Sequence, residues 1–154
     1  RTTAALAGVR VRDVMPPQPE TVPGDLTVAR FLHDVLLFRR HSAFPLVDAF
    51  GRVEGLITLN RIRSLSPEER ATALLRQVAC PVNEVPTAAP DELLTDLLPR
   101  LGGCADGRAL GFERGRLVGI VSPTDISRAA ALHGLTAEIG SGGPDISPGH
   151  PWSR

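Results

Sequence analysis

The sequence contains no lysine: all 17 basic residues are arginine, and they balance 17 acidic residues to a formal net charge of zero. A chain with no excess charge offers no electrostatic footprint to a polyelectrolyte, so nucleic acid is not an expected ligand. The missing lysine points to a coding bias such as high G+C content, or to drift between like charges. Cysteine is scarce as well. Cys80 and Cys104 are the two in the chain; they fall in no Cys-x-x-Cys spacing, and a reducing cytoplasm fits them better than a disulfide framework. No apolar run approaches the ~18 residues that a membrane helix needs. Arg10 and Arg12 interrupt a very short apolar start, a pattern unlike a signal peptide. The first residue is Arg1 rather than Met, so a fragment of a longer protein is expected.

Signs of catalysis are also missing. His33, His41, His133 and His150 have no metal-ligand spacing with one another or with the cysteines. No Gly-x-Ser-x-Gly run or Cys/His pairing marks a nucleophile. Neither an enzyme nor a metal site is expected from this segment. Trp152 stands alone near the end and carries no argument.

What the sequence does have is a repeat. Gly51–Ile62 (GRVEGLITLNRI) aligns without gaps on Gly115–Ile126 (GRLVGIVSPTDI), 64 residues later. Phe44–Asp48 aligns on Ala109–Glu113 at an offset of 65, and Thr21–Asp25 on Thr87–Asp91 at 66. Each copy reads as extended segment, helix, strand, turn, strand, helix. A unit of that size cannot bury its own apolar face, so the two copies should pack on each other. With 42% hydrophobic residues, 154 residues suffice for one compact unit of two half-domains.

The stretch Gly119–Asp125 (GIVSPTD) is the focus of the second copy. A short apolar strand turns directly into a helix, with Ser122 at the N-cap, Pro123 at the first helical position and Asp125 at the third. These residues could simply satisfy the orphan N–H groups of the helix. Equally, hydroxyls and a carboxylate gathered at a strand end form a polar ligand site, since a carboxylate can accept both hydroxyls of a ribose.

The two copies resemble a tandem pair of CBS domains, also called a Bateman module. The resemblance rests on Val11–Met15 (VRDVM), Ser42–Asp48 (SAFPLVD), Gly55–Thr58 (GLIT) and Gly119–Asp125, and covers about residues 9–133. It implies an α/β (α+β) fold of two β-α-β-β-α repeats related by a pseudo-two-fold axis. The expected divisions are a lead-in at 1–8, repeat 1 at 9–65, a linker helix at 66–79, repeat 2 at 80–133 and a flexible, Gly/Pro/Ser-rich tail at 134–154. It also implies a non-catalytic regulatory module that binds an adenosyl ligand (AMP, ADP, ATP or S-adenosylmethionine), needs no cofactor and forms a homodimer. A ligand-free structural or dimerisation module is the alternative. The runs around His41–Asp48, Glu68–Thr72 and Val85–Thr87 further resemble the C-terminal CBS pair of bacterial site-2-type membrane zinc proteases. That likeness implies an attached effector domain, a cytoplasmic location beside a membrane, and a zinc centre and membrane helices outside this segment.

By the same resemblance, an adenine base would lie near Thr21, Val22 and Pro23 and near His41, Ser42 and Ala43. Ser122, Thr124 and Asp125 would hold the ribose, and Arg108 a phosphate; a guanidinium at a strand edge suits that role, or simply guards the edge. In the mirror position the first copy has Asn60 and Arg61 for Thr124 and Asp125, and Ala43 for Arg108. Arginine has donors only, so one competent adenosine site is expected, with Arg61 filling the vacant cleft or reaching a partner.

Local signals complete the reading. A strand is predicted at 12–14, followed by an extended Pro16–Pro19 path. A helix from about 26 to 40 carries Val28, Phe31, Leu32, Val35 and Leu36 on one face, capped by Asp25 and closed by Arg39, Arg40 and His41. Strands are predicted at 44–47, 53–57, 108–112 and 116–121, and a short helix at 59–65. Ser66-Pro-Glu-Glu69 is a capping box opening a helix to about Val78. Asp91 should cap a helix carrying Leu93, Leu94, Leu97, Leu98 and Leu101, shortened by Pro99. The last helix should stop near Gly134.

Overall fold

The computed structural model describes residues 6–140 apart from Leu36, Phe38 and Arg39. Two small sheets carry the fold. In the first, β1 (Val22–Pro23) lies parallel to β2 (Ala43–Val47), which pairs antiparallel with β3 (Val53–Thr58), and β3 in turn with β4 (Cys80–Pro81). In the second, β5 (Thr87–Ala88) lies parallel to β6 (Ala109–Glu113), which pairs antiparallel with β7 (Arg116–Val121). The mixed α/β class read from the sequence holds, and the four long strands fall within a residue of prediction.

The repeats exchange their flanking segments. Helix α1 (Val11–Val14) sits in the core of the second sheet: Leu6, Val9, Val11 and Val14 are buried with Leu94, Leu97, Ala109, Val121 and Ile126. Helix α5 (Leu75–Val78), 64 residues later, sits in the core of the first, where Leu75 and Ala79 pack with Val28, Phe31, Phe44 and Leu46. The hydrogen bonds repeat in step. Leu94 N–H donates to Val9 O and Val28 N–H to Ala73 O; Val11 N–H donates to Glu92 O and Leu75 N–H to Leu26 O. A third apolar cluster, Leu56, Cys80, Val85, Ala105 and Leu110, joins the halves.

The same exchange explains two glycines. Gly55 faces Pro81 across β3–β4, and Gly119 faces Pro17 in an isolated bridge. A Cβ on Gly55 would stand 2.8 Å from the Cys80 carbonyl oxygen, and one on Gly119 would stand 2.9 Å from that of Pro16. A backbone crosses each strand there, so no side chain fits. Met15 then lies against Gly111 and Gly119, locking the Pro16–Glu20 strap over the second sheet.

Several local expectations give way to this packing. Residues 11–14 are helical rather than a strand, because Val11 and Val14 share one buried face and Asp13 accepts from Arg10 N–H at 2.8 Å. Helix α2 (Val28–Asp34) starts later than predicted, capped by the Thr27 hydroxyl (3.1 Å from Arg30 N) rather than by Asp25. Gly24 and Leu26 spend their carbonyls on Arg76 and Leu75 instead. Helix α3 (Leu59–Arg63) is capped by Thr58. The Ser66–Glu69 capping box forms with both bonds, 2.8 and 3.1 Å. Its helix α4 (Pro67–Thr72) stops early, since Ala73 turns extended to pair with Val28. Asp91 caps nothing; α6 (Leu94–Leu97) begins after Leu93 and passes into a 3-10 turn at Pro99. Helix α7 (Pro123–Gly140) runs through Gly134, whose missing side chain leaves open space. The predicted tail beyond Gly140 lies outside the described residues.

One expectation is overturned outright. Cys80 and Cys104, read as reduced, form a disulfide with Cα atoms 5.3 Å apart. Spacing in sequence gave no sign of it, because 24 residues separate them and only the seam between the halves brings them together.

Two outcomes follow from this packing. Gly119→Ala should destabilise the fold by about 1–3 kcal/mol in urea unfolding, because the new methyl meets both the Met15 side chain and, at 2.9 Å, the Pro16 carbonyl oxygen. Gly111→Ala meets chiefly the Met15 thioether, so adding Met15→Ala should relieve it, and should relieve Gly119→Ala only in part because the Pro16 carbonyl oxygen stays in place. In the β2–β3 turn, the N–H groups of Arg52 and Phe50, both 2.9 Å from Asp48 Oδ1, hold that carboxyl below its ordinary 3.8. A depressed carboxyl stabilises the native state fully above 3.8 and loses that contribution as pH falls through its folded value. The melting-temperature gap between wild type and Asp48→Asn should therefore close on acidification.

Candidate functional site

Helix α7 begins where β7 ends, so the residues of its first turn face the seam between the halves. The Ser122 hydroxyl accepts from Asp125 N–H at 3.2 Å, capping the helix, and donates to Asp125 Oδ2 at 2.8 Å. The other carboxylate oxygen lies 3.9 Å from Arg128, one turn on. Asp125 keeps 19% of its side chain exposed. The same residues therefore cap the helix and line a cavity.

That cavity, about 430 Å³, opens between the halves. The volume lies within the range of small-molecule pockets. Ser122, Thr124, Asp125, Arg108 and Ile120 come from the second half, His41, Ser42, Ala43 and Pro45 from the first. Arg108 ties the two together, donating to Ser42 Oγ at 2.7 Å and to the Asp106 carbonyl at 3.0 Å. The His41 ring packs edge-on against Phe44, 5.9 Å between centroids. Seven of the ten residues singled out in the sequence thus line one cavity.

Thr21, Val22 and Pro23 do not. Val22 is buried in the first core, and Thr21 lines a separate depression of about 770 Å³ between the two hairpin turns. Their place on the cavity wall is taken by the strap, Pro16 to Glu20. The sequence reading took these prolines only as an extended path. Arg40 and Arg128 also line the cavity. Arg128 is the i+3 neighbour of Asp125 on one helix face; Arg40, expected to close the preceding helix, lines the cavity instead.

The mirror position is closed by the chain itself. The Thr58 hydroxyl, 1% exposed, donates to Asp106 Oδ2 at 2.5 Å, and the Asn60 amide reaches Oδ1 at 3.4 Å. Arg61 turns away, its Nε donating to Val78 O at 2.6 Å. So the carboxylate missing from the first copy's motif is supplied by Asp106 of the second, which ties Thr58 and Asn60 across the seam. Among the described residues no group of three His, Cys, Asp or Glu side chains could hold a metal ion. Nor is any helix there long and apolar enough to cross a membrane.

Comparison with known proteins gives this architecture a family. Residues 11–68 match the CBS domain model. The CBS domain of a bacterial CNNM/CorC family Mg2+ transporter, solved in complex with ATP, superposes with a TM-score of 0.70 at 17% identity, covering 84% of this chain and 92% of that one. The CBS domain pair of protein MJ0100, solved in complex with 5′-methylthioadenosine and S-adenosyl-L-methionine, gives 0.67 at 23% identity, covering 83% and 98%. Rip3 of Mycobacterium tuberculosis, named as a candidate zinc metalloprotease, is 41% identical over 135 residues. Those residues are 87% of this chain and 34% of Rip3, so the chain spans about a third of the relative it matches. The chain carries a CBS domain and has the fold of a CBS pair.

Removing the Asp106 carboxylate should test the closed cleft. Asp106→Ala leaves the buried Thr58 hydroxyl without its acceptor and should cost about 1–3 kcal/mol in thermal or urea unfolding. Asp106→Asn, which keeps an acceptor oxygen, should cost clearly less.

Proposed function

We propose that this CBS pair is the regulatory portion of a longer protein and senses an adenine nucleotide in the cleft between its halves. One observation carries the reading: one open cavity between the halves gathers the Asp125 carboxylate, the Ser122 and Thr124 hydroxyls and the Arg108 guanidinium. A carboxylate with one face toward the cavity can accept ribose hydroxyls, and Ser122 and Thr124 flank it. Pro16, Pro17, Pro45, Ala43 and Ile120 offer apolar walls for a flat base. Arg40, Arg108 and Arg128 outnumber Glu20 and Asp125, which favours an anionic nucleotide over the sulfonium cation of S-adenosylmethionine. That the related pairs were solved with ATP and with adenosyl compounds supports the choice of base.

The ligand acts through differential affinity. Its contacts come from both halves and from the strap, so it favours whichever arrangement of the halves lets all three close on it; typical coupling is ~1–3 kcal/mol. Helix α7 holds Asp125 at one end of its first turn and packs Ile126 and Ala129 against Val11 and Val14 of α1. A shift at the nucleotide is thereby felt by the segment at the start of the described chain. The attached effector is, on the Rip3 likeness, a membrane zinc protease whose catalytic centre lies outside these residues. Homodimerisation through the pairs and a cytoplasmic position beside the membrane belong to the same reading.

Calorimetric titration of ATP, ADP, AMP and S-adenosylmethionine into the chain tests it. Phosphorylated nucleotides should bind, and Asp125→Ala should weaken them at least about tenfold, or 1.4 kcal/mol. Arg108→Ala should weaken nucleotides while leaving adenosine itself nearly unchanged. Failure of every adenosyl ligand to bind would leave a structural module with an empty cleft.

A further inference from the structure

The loop that delivers Arg108 to the cleft is poorly held by its own backbone. Gly102, Gly103, Asp106 and Gly107 all have positive φ (127°, 69°, 54° and 80°). Three of the four are glycines, which lose the most conformational freedom on ordering, and Asp106 is a non-glycine in the left-handed region. Two short backbone bonds, Asp106 N–H to Gly103 O (3.2 Å) and Arg108 N–H to Ala105 O (3.1 Å), close it on itself. Its fixed points lie across the seam. Cys104 is bonded to Cys80, Asp106 to Thr58 and Arg108 to Ser42. The disulfide is the covalent one of the three. It sits four residues before Arg108 and two before Asp106, so the same short loop serves the open cleft and plugs the closed one.

We propose that the Cys80–Cys104 pair is a redox latch on this loop, and that its oxidation state sets how well Arg108 is placed in the cleft. Oxidised, the latch holds the loop against β4 and presents Arg108 beside Ser42. Reduced, the loop loses its covalent tie and is held by buried Ala105 and by the Asp106 and Arg108 side-chain bonds, and a ligand that uses Arg108 must order more of it on binding. The sulfurs differ in access, which orders the chemistry. Cys80 is fully buried, while Cys104 is partly exposed. To close the latch, the Cys104 thiolate attacks a low-molecular-weight disulfide such as oxidised glutathione, forming a mixed disulfide and releasing one thiol. The Cys80 thiol then gives up its proton and attacks the Cys104 sulfur, expelling the second thiol. The protein loses two electrons and two protons, and the glutathione disulfide takes them up as two thiols. Opening runs in reverse, with an external thiol attacking the accessible Cys104 sulfur and buried Cys80 leaving. The effect on affinity rests on the nucleotide reading above; the effect on the loop does not.

The test compares the chain equilibrated with oxidised glutathione and the chain treated with a phosphine reductant, with alkylation and mass spectrometry counting free thiols in each. In the reduced form, hydrogen exchange at the Asp106 and Arg108 amides should quicken about tenfold, and ATP affinity should fall by a similar factor. Cys104→Ser should behave as the reduced form under both conditions; if that variant fails to fold, the chemically reduced wild type carries the comparison. Thiols that stay free in oxidised glutathione, or equal amide exchange in both forms, would overturn the latch. So would equal ATP affinity in both forms despite a difference in exchange, since the latch would then not reach the cleft. No nucleotide binding in either form, with the exchange difference intact, supports the latch on the loop and overturns the nucleotide reading alone.

Discussion

A small sheet of three or four strands with helices on one face cannot cover its other face, and each half of this molecule solves the problem with chain from beside the other repeat. Val11 and Val14 precede the first repeat's strands yet fill the core of the second sheet; Leu75 and Ala79 precede the second repeat's strands yet fill the core of the first. Neither half has a complete core alone. The exchange forces a backbone across β3 at Gly55 and across β7 at Gly119, and it lays the Pro16–Glu20 strap along the rim of the cleft. Cooperativity between the halves is a consequence of that lacing. A ligand between them acts on a joint, not on a surface.

The pseudo-two-fold builds two equivalent clefts, and the side chains make them unequal. On one side Asp125 faces open space. On the other, Asp106 accepts from the Thr58 hydroxyl, while Arg61 is drawn off to the Val78 carbonyl. A buried hydroxyl needs a partner, and a carboxylate from the opposite half satisfies it while joining the halves. Asp106 thus works as a clasp on one side, while the other side keeps an open cavity. The loop 102–108 belongs to both, which is why the position of Cys104 at its start matters.

The Cys80–Cys104 bond sits at the same seam, in the apolar cluster with Leu56, Val85, Ala105 and Leu110. It adds a covalent tie where the two halves otherwise hold together by apolar burial and a few polar bonds. Burial of Cys80 leaves Cys104 as the sulfur that solvent thiols can reach. On the proposed readings, a redox-sensitive tie at the joint is a different kind of input from a nucleotide but acts on the same mechanical element.

Much of this architecture was legible in the sequence because it rests on local chemistry and on repetition. The 64-residue echo of GRVEGLIT in GRLVGIVS reported two copies of one unit, alternating apolar residues reported the long strands, and Ser66 with Glu69 reported a capping box that forms as written. Ser122, Asp125 and Arg108 could be picked out because GIVSPTD and the strand-edge arginine match the pattern of the resembled family, although a helix cap and an edge charge account for the same residue types. What the sequence could not carry were the decisions made by partners distant in the chain. Whether Asp25 or Thr27 caps α2 depended on Arg76 and Leu75 claiming the Gly24 and Leu26 carbonyls. Whether 11–14 is strand or helix depended on a core 80 residues away. The pairing of Cys80 with Cys104, the Asp106 plug and the strap in place of Thr21–Pro23 at the cleft wall all arise where the halves meet. Local propensity sees only neighbours in sequence, and the seam is made of residues that become neighbours only after folding.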